Sequence, residues 1–159
     1  MIRSIPAGRQ IARVEFPSQN RAREQFAQPE KNSFADLLLK LEARDWRVRW
    51  NACKALGKLG DRRAAAPLVG MLLDDDTSVR WAAMGSLIQL GRVAIPPLML
   101  ALTRDFSSAR LRQGAHHVLH ALYNQSLLTE AEEQVFRALE GPTTGIQAAG
   151  LANKILIGQ

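Results

Sequence analysis

Residues 45–61 read DWRVRWNACKALGKLGD, and the chain writes this stretch again at 76–91 and, more loosely, at 108–124. Val48-Arg49-Trp50 returns 31 residues on as Val79-Arg80-Trp81, and 32 further on as Leu111-Arg112-Gln113. Each copy continues with the same apolar spacing: Val48/Ala52/Leu56/Leu59, Val79/Ala83/Leu87/Leu90 and Leu111/Ala115/Leu119/Leu122. Offsets of 4, 8 and 11 follow one face of an α-helix. A repeat of this length marks stacked helical hairpins, because one unit cannot bury its own apolar face and its neighbours must.

Outward from this core the punctuation is regular. Ser33 and Asp36 are spaced as a capping box before Leu37-Leu38-Leu39, which predicts one helix to about Ala43. Asp45 opens the first repeat helix and Gly60 ends it, and its mate spans about 63–73. Asp76 opens the second repeat helix and Gly91 closes it. Pro96 and Pro97 then fall in the first turn of its mate, where a missing N–H is harmless. The third copy covers about 109–122, its mate starts at the capping box Thr129/Glu132, and Gly141-Pro142 stops it. A last helix follows Thr143-Thr144, with Ala148/Ala152/Leu156 matching the repeat face loosely. The fold class is therefore all-α, with no strand: a short α-solenoid over residues 33–159. Residues 1–32 lack a sustained period and are interrupted by Pro6, Pro17 and Pro29, so they read as a flexible arm.

The chain has 159 residues, a formal charge of +6 and one cysteine. The arm holds six Lys/Arg against three Asp/Glu, so half of the excess charge lies in a fifth of the chain. Cys53 can form no intrachain disulfide, which fits a reducing cytoplasm. The longest apolar run, Ala94 to Leu102, is far short of the roughly 18 residues of a membrane span and contains two prolines. No membrane partner is expected.

The stretch 45–61, together with Ala64-Ala65-Ala66-Pro67-Leu68 and Leu72-Leu73-Asp74-Asp75-Asp76, resembles HEAT-like repeats of the phycobilin-lyase type. The resemblance is good over 34–125 and weak beyond. It implies a right-handed solenoid whose Val-Arg helices line a concave face. It also implies that residues pointing outward from those helices make the contacts: Trp46, Arg47, Trp50, Asn51, Lys54 and Lys58 in copy one; Trp81 and Gln89, over a floor of small residues, in copy two; and Arg110, Gln113 and His117 in copy three. Tryptophan at this position either contacts a ligand or covers the ridge between helices. In resembling repeats, Arg/Asp pairs tie one repeat to the next, which makes Arg49, Arg80 and Arg112 structural. Asp45 and Asp76, each three residues before the repeat face, leave an acid near Arg49 and Arg80, and stacking brings further turn acids within reach, whereas Asp105 lies six before Leu111.

Catalysis finds little support in the residues. No phosphate-binding glycine loop, nucleophile elbow or triad spacing occurs. His116 and His120 share a helix face, but two ligands are not a metal site, and a structural role is the better reading. No His-Glu dipeptide occurs, against the di-iron hydroxylases that share this kind of repeat. No catalytic residue, cofactor or metal is expected. The expected function is a non-enzymatic module or scaffold that binds a protein segment in its concave groove. The alternatives are a component of a bilin-lyase-like enzyme and, through the tryptophans and lysines, nucleic-acid binding.

Overall fold

The helices form where the caps place them. The structure, a computed structural model, describes residues 33–141 and 144–158. Eight α-helices occur among these residues: α1 Phe34–Leu41, α2 Trp46–Leu59, α3 Ala65–Gly70, α4 Thr77–Leu90, α5 Ile95–Arg104, α6 Ala109–Asn124, α7 Glu130–Ala138 and α8 Thr144–Ile157. No strand is present among them. The arm 1–32 lies outside the described residues, and so does Pro142 of the Gly141-Pro142 stop.

The carboxylate of Asp45 accepts the Arg47 N–H at 2.8 Å, and that of Asp76 accepts the Ser78 and Val79 N–H groups at 2.7 and 3.3 Å. In the third copy Ser108 stands at the capping position and accepts the Leu111 N–H at 3.2 Å, which explains why Asp105 could drift upstream. Gly60 and Gly91 have φ of 68° and 64°, values that favour glycine at a helix end. The Thr129/Glu132 box closes in both directions. At the first helix only half of the expected box forms: the Ser33 hydroxyl accepts the Asp36 N–H, but the Asp36 carboxylate pairs with Lys40 at 2.6 Å.

The repeat helices α2, α4 and α6 form one row, with α2 packed on α4 and α4 on α6. Behind it, α3 packs on α4 and α5, and α5 on α6. Val79, Ala83 and Leu87, like Leu111, Ala115 and Leu119, are buried to 1% exposure or less. The last position of the pattern is uneven: Leu122 is buried, but Leu59 is 50% exposed. In copy three the chain folds back here, the Leu127 N–H donating to the Leu122 carbonyl at 3.0 Å; in copy one it runs on into the Asp61-capped turn. The mate of α2 is also shorter than expected, with 3-10 turns at Arg62–Ala64 and Met71–Leu73 on either side of α3.

One helical run bears on the membrane reading, and the expectation for the last helix needs correction. The helical run Thr77–Arg104 is long and apolar enough, by composition alone, to cross a membrane. It is interrupted at Gly91, and both halves supply core residues, Leu87 and Met99 among them. The last helix does not rejoin the repeat row. Ala148 and Ala152 are buried but Leu156 is exposed, and α8 packs on α5 and α7. The place beside α6 is already filled: Phe136 of α7 lies against the rings of His116, His120 and Tyr123, at centroid distances of 5.2, 5.8 and 5.5 Å. Glu132 anchors the start of α7, its buried carboxylate facing Arg92, which also donates to the Leu127 carbonyl.

Candidate binding surface

The row presents two neighbouring concavities. One, of about 310 Å³, lies along α2 and α4 and is bordered by Trp50, Lys54, Lys58, Trp81 and Gln89 over Ala82, Gly85 and Ser86. The other, of about 350 Å³, lies between α4 and α6, with Trp81, Met84, Leu72 and His117 as its apolar wall and Arg80 and Arg110 as its cations. Trp81 belongs to both. The residue is 55% exposed, and its ring meets that of His117 edge-on at 4.9 Å. Lys54 sets its ammonium 4.1 Å over the Trp50 ring.

The sequence-derived residues divide accordingly. Trp50, Lys54, Lys58, Trp81 and Gln89 come together at the first concavity, and Trp81, Arg110, Gln113 and His117 at the second. The small floor expected in copy two is present. Trp46, Arg47 and Asn51 line neither one; Arg47 instead lies 5.0 Å over the Trp46 ring at the start of α2. Sequence reasoning missed Leu72, Met84, Arg80 and His116 as lining of the second concavity. Leu72 enters from the segment behind the row, against Gly114, where an added Cβ would meet its Cδ2 at 3.1 Å.

Each repeat arginine closes the loop before its own helix. Arg49 donates to the Ala43 and Arg44 carbonyls, Arg80 to those of Asp74 and Asp75, and Arg112 to those of Phe106 and Ser107. The tie between repeats is Arg49 to Asp74, two bonds of 2.7 and 2.8 Å, so the partner acid comes from the following loop; Asp45 and Asp76 serve as helix caps. Asp74 is 6% exposed. Burial pushes its carboxyl up, but the Arg49 bonds and the Asp76 N–H outweigh this and hold it below the usual range. The bond to Asp74 raises Arg49 in turn, against its own burial. Burial pushes the Cys53 thiol up to about 12, so it stays protonated and unreactive.

His116 and His120 stack at 6.2 Å and pack on Phe136, and His116 Nε2 lies 3.4 Å from Glu140. Among the described residues, no group of three or more His, Cys, Asp or Glu is placed to hold a metal ion.

A family model for HEAT repeats matches residues 34–120. The chain belongs to the HEAT-repeat family. Within that family its sequence is similar to two cyanobacterial proteins named phycocyanobilin lyase subunit alpha. The one from Synechocystis sp. is 35% identical over 138 residues, 82% of this chain and 46% of that protein. The one from Picosynechococcus sp. is 42% identical over 73 residues, 45% of this chain and 27% of that protein. This HEAT-repeat chain thus spans less than half the length of either relative.

Proposed function

We propose that the chain is a docking module whose α2–α4–α6 row holds a protein segment. Trp81 carries this reading: a large aromatic residue, 55% exposed, its ring steadied by His117 and standing between two concavities. Aromatic anchors in such settings dominate segment-binding interfaces, because they bury much area with little loss of freedom. Lys54 and Lys58 beside the first concavity, and Arg80 and Arg110 beside the second, favour an acidic segment. A cytoplasmic setting fits the single, buried Cys53.

A photo-crosslinking residue at Gln89 or Gln113, used in extract of the source organism, should capture the segment for identification. The synthetic segment should then bind the purified chain, and Trp81→Ala should weaken it by about 2 kcal/mol, roughly 30-fold, with the melt unchanged. Gln134→Ala, on α7 and away from both concavities, should bind as the parent does. Equal binding by the two variants would sink the reading.

The similarity to phycocyanobilin lyase alpha subunits favours a second reading, in which the same surface handles phycocyanobilin as part of a larger lyase. Visible absorbance decides it. Added phycocyanobilin should show a shifted band and induced circular dichroism that Trp81→Ala removes; an unchanged spectrum counts against it.

A further inference from the structure

Arg80 differs from Arg49 in one respect. Arg49 has a bidentate carboxylate partner in the following loop. Arg80 holds the Asp74 and Asp75 carbonyls at 2.7 and 2.9 Å and the Thr77 hydroxyl at 2.7 Å, and no carboxylate among the described residues pairs with it. Asp74 lies six residues before Arg80. The residue six before Arg112, where the next acid would stand, is Phe106, and neighbouring Asp105 accepts from the Ser107 hydroxyl at 3.0 Å instead. A half-buried guanidinium is thereby left without a hydrogen-bonded carboxylate on the wall of the 350 Å³ cavity, although it feels the charge of Asp74, whose carboxylate is held by Arg49. The second cation there, Arg110, pairs at 2.9 Å with Asp75, which is 96% exposed. Such a pair is worth little and exchanges readily.

We propose that this cavity is a carboxylate subsite, receiving at Arg80 and Arg110 a carboxylate whose aromatic or apolar body lies against Trp81 and Met84. This rests on the docking surface proposed above and names the chemistry it selects. The carbonyls and the Thr77 hydroxyl hold the Arg80 head in place before any ligand arrives, so little side-chain freedom is lost on binding. Charge-assisted bonds in a partly dry cavity with an aromatic wall discriminate an acid from its amide. The carboxylate comes either from an acidic side chain next to a large apolar residue in a docked segment, or from a free aromatic acid.

The test titrates the full chain and follows the tryptophan indole N–H resonances. The probes are 3-phenylpropionate and acetyl-Phe-Glu-amide, each against its neutral amide counterpart, 3-phenylpropionamide and acetyl-Phe-Gln-amide. At least one acid should saturate the Trp81 shift at a concentration tenfold or more below that of its amide. Binding by the peptide alone identifies a side chain as the source; binding by phenylpropionate alone identifies a free acid. Arg80→Met and the exposed Arg110→Gln should each abolish the preference, the second serving if the first perturbs the loop. Asp75→Asn frees Arg110 from a competing carboxylate and should tighten acid binding severalfold, a gain that an Arg110 outside the subsite would not give. Acids and amides shifting Trp81 alike would overturn the carboxylate subsite and leave the docking surface standing. No shift at Trp81 with any probe would overturn it too. Acid preference in a chain whose crosslinked segment ignores Trp81→Ala would keep the subsite and refute the docking module.

Discussion

The interface between α2 and α4 is closed beneath its 310 Å³ concavity, and the interface between α4 and α6 is open down to Leu72 and Met84, although the same repeat motif builds both. At the first, Gly57 lies so close to Ser86 that an added Cβ would stand 2.7 Å from its Cβ, and the Ser86 hydroxyl donates to the Cys53 carbonyl at 2.8 Å. The Arg49–Asp74 pair bolts the same interface at its other end. At the second, Met84 and His116 occupy the positions of Cys53 and, one repeat on again, of Met84 itself, and a cavity of about 350 Å³ remains between the helices. A repeat array can thus hold its core constant and let loop acids and small-residue contacts decide how deeply each seam opens to a ligand.

The effect that separates the two seams most should come from breaking the bolt. Asp74→Asn leaves Arg49 without its anion at a mostly buried site and should cost about 3 kcal/mol in urea unfolding. Asp105→Asn, with no arginine partner, should stay within about 0.5 kcal/mol. Equal effects would dissolve the contrast between the two seams. Acid sharpens it. The Asp74 carboxyl titrates below its unfolded value, so its contribution is complete above the unfolded pKa, about 3.9, and is lost as pH falls through the lower folded value. The gap between parent and Asp74→Asn should be flat from pH 5 to 8 and close below about pH 4.

Leu87→Ala and Leu119→Ala come next. Both residues are fully buried at equivalent positions, one in each helix of the open seam, and each truncation should cost about 2–5 kcal/mol. A Leu119 cost below about 1 kcal/mol would mean that the core itself, and not only its surface, loosens toward α6. Glycines give the smallest effects and a change of sign. Gly57→Ala should lose about 1–3 kcal/mol because Ser86 has to move. Gly85→Ala meets nothing within 4 Å and should gain about 0.5–1 kcal/mol from helix propensity. The same thermal melts report both.

The fold was legible because helix periodicity, caps and end glycines all reported the same hairpins. Asp76, Gly91 and the Thr129/Glu132 box each act as their residue types suggest. What escaped was what depends on neighbours several tens of residues away. Leu59 and Leu122 are alike in sequence and differ only in whether the chain returns over them. Asp74 lies 25 residues from Arg49, so its pairing could be assigned only as some turn acid within reach. The surface was half legible. Trp50, Lys54 and Trp81 follow from the outward register of the repeat, but Trp46 and Arg47, in the same register, sit beside the groove at the helix start. Arg80 was legible as structural, a tie between repeats, and not as the residue that closes its own loop; its missing acid could have been found only by noticing Phe106 in the place of Asp74.

The seating of α7 on α6 has a consequence for length. Stacked repeats behave like a polymer that adds units at its ends, and Phe136, packed on His116, His120 and Tyr123, occupies the surface on which another unit would add. A unit added on that face would have to displace α7. At the opposite end α1 leaves Leu39 75% exposed among the described residues, so units grafted in place of residues 1–32 should stack on α1 more readily than units grafted onto α6.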